Sequence, residues 1–164
     1  MCRFRPVLAA AALIALGAAG EARAAGEPRA DDNGLSLGLS IGYSTRFESA
    51  VGAVDFLVPA GRYFTIVPTV SYTEALGVHR WTFGGELQWN APADRLHKKL
   101  QAWVGAGMVA LTEDPKGKGD PTTHDLIARG VVGVGFDLAA APFLETRFSL
   151  GGPSEVVIAA GVRF

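Results

Sequence analysis

The residues able to do chemistry are few: three histidines, one cysteine, and two groups of charged side chains. His79, His97 and His124 stand in separate segments, none of them two or four positions from another. That spacing builds no metal site, and no metal or other cofactor is expected. A nucleophilic hydrolase needs a serine within reach of its base, but the residues two positions either side of His124 are Thr122 and Leu126. No catalytic residue is assigned. Cys2 is the only cysteine. In the polar run Glu113–Pro121, Gly117-Lys118-Gly119 lacks the surrounding glycine and Lys-Ser/Thr of a phosphate loop. That run reads as a solvated hairpin.

The second charged group takes its meaning from the segments that carry it. Period-two alternation recurs along the chain. Leu35, Leu37, Leu39, Ile41 and Tyr43 alternate with serines and glycines; Trp81, Phe83, Leu87 and Trp89 alternate with Arg80, Thr82, Glu86 and Gln88. Eight strands are expected, near 35–45, 49–58, 62–73, 79–90, 99–112, 123–138, 142–150 and 154–164. Turn chemistry separates them, as at Pro59-Ala60-Gly61 and Gly151-Gly152-Pro153. In seven strands the apolar face carries no charge. The other face carries Asp55, Arg80, Glu86, Asp125, Arg129, Asp137, Glu145, Arg147, Glu155 and Arg163. The fifth strand is ambiguous, because Trp103, Val109 and Leu111 fall opposite Val104, Ala106 and Met108. Pro68 interrupts the third, where a missing ladder hydrogen bond suggests a bulge.

The start of the chain reads as an address. Arg3 and Arg5 precede an apolar run from Val7 to Ala19, and Ala22-Arg23-Ala24 offers a small-residue cleavage site. The run is too short to span a bilayer as a helix, which takes about 20 residues. Residues 1–24 are expected to be a cleaved signal peptide, 25–34 a periplasmic N-terminal segment, and 35–164 one β-barrel. Cleavage would remove the single cysteine, leaving no disulfide and no thiol chemistry.

The whole chain has 164 residues, 15 basic and 16 acidic, a net charge of −1, and 21 glycines. That balance argues against a nucleic-acid partner, which calls for a basic face. A mean hydropathy above zero with 19% charged residues argues against disorder. A soluble sheet would show water a face rich in Lys and Glu. Here the polar face is mostly Gly, Ser, Thr and Ala, which suits the crowded interior of an eight-stranded barrel. Lipid-facing Arg or Lys costs about 2–4 kcal/mol at mid-depth, so the charge segregation fits a bilayer outside and a polar lumen inside. With both termini periplasmic, Tyr43, Tyr72 and Trp81 fall near the outer rim. Phe64, Trp89, Phe136 and Phe164 then fall near the inner one, as aromatic girdles do.

With its leader, eight alternating strands and final strand running down to Phe164, the chain resembles the small eight-stranded outer-membrane barrels of the OmpA/OmpX and opacity type. The fold expected is an all-β, antiparallel, up-and-down transmembrane barrel in the cell outer membrane. The resemblance implies that Phe164 is part of a signal read by the barrel-assembly machinery, although Ala160 and Val162 stand where that signal often has a second aromatic. Outer-membrane lipid and lipopolysaccharide are the partners expected there, and the functional reading of the polar run Glu113–Pro121 is lipopolysaccharide contact, with Lys116 and Lys118 facing outer-leaflet phosphates. The outward connections are shorter than the long loops that bear function in such barrels. Asp55, Glu86, Arg129 and Arg147 lie nearest mid-depth and are expected to pair into a plug, because an unpaired buried charge is costly. The function expected is a non-enzymatic structural or envelope-interaction role. The alternatives are a narrow pore or small-ligand carrier, a lipid A-modifying barrel enzyme, and a soluble lipocalin-like barrel. The oligomeric state is not legible.

Overall fold

The computed structural model describes residues 34–75, 77–91, 99–115, 122–136, 140–150 and 154–164. The expected leader, most of the segment after it, His97, Asp137, Lys116 and Lys118 lie outside the described residues. Eight strands follow one another: β1 (Ser36–Ser44), β2 (Ser49–Pro59), β3 (Phe64–Ala75), β4 (Val78–Asn90), β5 (Leu100–Pro115), β6 (Thr123–Phe136), β7 (Ala141–Leu150) and β8 (Val156–Arg163). Each pairs antiparallel with the next, and β8 with β1, so the sheet closes on itself. Closure leaves no unpaired edge. Phe164 extends the seam: its N–H donates to the Leu37 carbonyl at 2.9 Å, and the Leu37 N–H donates back at 3.2 Å.

The register fixes the barrel's proportions. Carried at right angles to the strands from Ser36, the register leads through Leu57 and, across an interrupted rung, Val67, then Glu86, Gly107, Arg129, Ser149 and Glu155. It returns to the first strand's line at Arg46, ten residues on. Eight strands with that stagger tilt steeply, about 35–45° to the axis, and enclose a space that side chains nearly fill.

Alternation sorts the two faces. Leu39, Ile66, Leu87, Met108, Leu144 and Ile158 are exposed on the outside, while Asp55, Thr69, Glu86, Gln88, Glu145 and Arg147 are buried inside. A water-soluble protein reverses this order, and a bilayer-spanning barrel requires it. The ambiguous strand resolves the same way. In β5, Val104 and Met108 are exposed, whereas Trp103, Val109 and Leu111 are buried in the lumen. Both its faces are apolar because the lumen here is apolar: Val109, Leu111 and Ile127 form one buried cluster.

The expected bulge at Pro68 is not present. The β2–β3 register is the same on both sides of it, Asp55 facing Thr69 and Val58 facing Ile66. Two rungs of that ladder are absent between those pairs, while Pro68 keeps its place opposite Gly85 on β4. The proline interrupts pairing on the side that would need its N–H, without inserting a residue. At the opposite end of β3 the turn into β4 passes through Gly77 at φ +80°, a conformation that favours glycine.

Candidate functional site in the barrel lumen

The lumen is layered. At the end that carries residues 34 and 164, Trp103 and Phe143 meet edge to face with ring centroids 6.0 Å apart. The Arg163 guanidinium lies 3.8 Å from the Trp103 ring centre and 5.0 Å from that of Phe143. The rings find room because Gly133 and Gly161 stand opposite them; a Cβ at either position would collide with a ring. At the other end, Arg80 pairs with Glu113 and stacks on Phe47, its guanidinium 3.3 Å from the ring centre. There Ser44 donates to Glu155 at 2.6 Å, and Ser49 and Thr73 share a hydrogen bond of 2.9 Å.

Between these ends lies the charged layer. Arg147 Nη2 sits 2.5 Å from Asp55 Oδ2 and 2.6 Å from Glu145 Oε1, while its Nη1 donates to Thr69 at 3.2 Å. Asp55 and Arg147 belong to β2 and β7, with β8 and β1 between them, so this contact crosses the lumen. Arg129 Nη1 approaches Glu86 Oε1 only to 3.8 Å, beyond hydrogen-bond distance. The geometry follows from one rung, Glu86 on β4, Gly107 on β5 and Arg129 on β6. Glycine in the middle leaves nothing between the two charges, which reach for each other across a whole strand. Gln88 donates to the other Glu86 oxygen at 3.3 Å.

The four mid-depth charges named from the sequence thus lie inside the barrel, as two separate contacts. Glu145, an inward-face charge not placed at mid-depth from the sequence, joins them through Arg147; Arg163 belongs instead to the aromatic layer. The Glu145-x-Arg147 spacing puts both side chains on one face of one strand, a signal that was available. Beside Arg129 and Arg147 a cavity of about 20 Å³ remains, room for about one water-sized occupant.

The outer surface holds contacts that sequence spacing could not show. Tyr72 and His79 meet across β3 and β4 at 2.7 Å, with Glu74 3.8 Å from the imidazole. Thr112 and His124 meet across β5 and β6 at 3.2 Å. A hydroxyl nucleophile needs a base that a third group orients, together with donors for an oxyanion. Among the described residues, His124 has no carboxylate in contact, and Tyr72 offers a phenol rather than an alkyl hydroxyl. Nor do three His, Cys, Asp or Glu side chains among the described residues come together to hold a metal ion.

No protein-family model and no curated protein sequence matches the chain. Solved structures do. The N-terminal β-barrel domain of Pseudomonas aeruginosa OprF matches with a TM-score of 0.64 at 11% identity, over 79% of this chain and 96% of that one. Neisserial surface protein A matches at 0.62 and 9% identity, over 79% and 92%. A de novo designed transmembrane β-barrel matches at 0.50 and 11% identity, over 80% and 96%. The fold is that of the small outer-membrane barrels. At such identities only the fold is shared. Its presence in a designed protein underlines that function must be argued from the site.

Proposed function

We propose that the protein is a non-enzymatic barrel of the cell outer membrane with a structural or envelope-interaction role, its lumen closed by inward ion pairs. One observation carries this reading: Arg147 is held between Asp55 and Glu145, with at most 5% of any of the three side chains exposed. A solute path would have to part charges that are costly to leave unpaired. The aromatic layer at one end and the Arg80–Phe47 stack at the other support the same reading. The alternative, a narrow pore or small-ligand carrier, needs an open path or a roomy pocket in that lumen. The cavity that lies beside Arg129 and Arg147, about 20 Å³, is neither.

In this reading residues 1–24 direct export, 25–34 stay in the periplasm, and 35–164 form the membrane barrel. The apolar exterior meets outer-membrane lipid, and Lys116 and Lys118 meet lipopolysaccharide phosphates. Phe164 ends the lipid-facing stripe of the last strand and serves the barrel-assembly machinery during insertion. The test is where the protein goes and how it runs. It should fractionate with outer membranes and change gel mobility on boiling, since a closed hydrogen-bonded barrel resists detergent. Phe164→Asp should lower the amount recovered in that fraction several-fold. Recovery of the parent in the soluble periplasm would refute the membrane reading, and full recovery of Phe164→Asp would remove the assembly role.

A further inference from the structure

We propose that the lumen cavity beside Arg129 and Arg147 is a binding site for one compact monovalent anion of the chloride class. Its polar lining consists of those two guanidiniums and the hydroxyls of Ser40 and Ser71; the rest is apolar, including Val51 and Ala159. Among the described residues no carboxylate lines it. Arg129 Nη1 and Ser40 Oγ are buried without a hydrogen-bond partner among the described residues. Guanidinium offers donors and no acceptor, and a serine hydroxyl can rotate to donate. An occupant without protons can accept from every one of these groups. A water would have to direct both its protons at the Ser40 and Ser71 hydroxyl oxygens, the acceptors among the lining side chains, whereas a halide leaves both hydroxyls free to donate to it.

Size narrows the class further. About 20 Å³ is room for about one water-sized particle, which favours a single-atom anion over sulfate, phosphate or a carboxylate. Among the described residues the nearest carboxylate to Arg129, that of Glu86, stands 3.8 Å away without a hydrogen bond, so this cation is only partly neutralised. Asp55 and Glu145 occupy Arg147 itself and oppose the anion, which sets the affinity low rather than the site's chemistry. The small side chains of Ser40, Ala53 and Ala159 leave the space that makes the site.

This inference rests on the closed-lumen reading, and its test is separable from that one. The full-length protein, folded in zwitterionic detergent, is unfolded in urea at constant ionic strength while chloride or bromide replaces gluconate. A bound anion raises the folding equilibrium constant by one plus the ratio of its concentration to Kd, about elevenfold at ten times Kd. The increment should saturate in the parent and fall below about twofold, by the same linkage, in Arg129→Gln and in Ser40→Ala. The milder Ser40→Ala decides the matter if Arg129→Gln does not fold. A halide effect that is absent, or shared unchanged by a folded variant, overturns the site. Ion conductance by a barrel that keeps its halide linkage would overturn only the closed lumen.

Discussion

Arg147 and Arg129 point into the same lumen from neighbouring strands, two rungs apart, since Val131 faces Arg147 and Arg129 faces Ser149. Their surroundings differ. Arg147 has two carboxylates within 2.6 Å and a threonine hydroxyl at 3.2 Å. Arg129 has one carboxylate at 3.8 Å and a cavity beside it. The difference lies in what stands opposite. Arg147 shares a strand face with Glu145 and meets Asp55 from across the barrel. Arg129 must stretch over Gly107 to reach Glu86. Identical residue types at similar depth therefore have unequal tasks: one cross-links the lumen, and the other is left with donors to spare.

The largest effect should come from Arg147→Ala. It leaves Asp55 and Glu145 buried and uncompensated, and breaking such a pair costs about 3–5 kcal/mol. Urea unfolding of the refolded barrel should show that loss, or no folded barrel at all. Arg129→Ala should cost less, about 1–3 kcal/mol, the penalty of leaving one buried polar partner unsatisfied. Equal losses for the two would break the comparison, and a gain in stability from Arg129→Ala would reject its role in the plug. The smallest effect belongs to Thr69→Val, which removes one hydrogen bond to Arg147, about 0.5–1.5 kcal/mol. Combined with Arg147→Ala it should add little further loss, because the two side chains share one interaction. Full additivity in that double-mutant cycle would show that Thr69 acts elsewhere.

Much of this arrangement was legible in the sequence, and the exceptions have physical reasons. Strict alternation in β1, β4 and β8 determines which side chains face lipid, because the period of a strand is two. β5 resisted that reading, since Trp103, Val109 and Leu111 fill an apolar part of the lumen while Val104 and Met108 face outward. Pro68 signalled a defect correctly but not its kind, because a missing N–H can interrupt a ladder without adding a residue. The pairing partners were the least legible. Asp55 and Arg147 are 92 positions apart, and which charge reaches which depends on the ten-residue stagger accumulated around all eight strands. The aromatic layer was hidden for the same reason: Trp103 and Phe143 fit inside only because Gly133 and Gly161 face them across the register.

The central claim is a lumen closed at mid-depth by Arg147 and its two carboxylates. Single-channel recording across a planar bilayer holding the full-length refolded protein tests it most directly. The account predicts no stable unitary steps from the parent and, if Arg147→Ala folds, conductance appearing in that variant. Reproducible steps of one size from the parent, unchanged by Arg147→Ala, would contradict it.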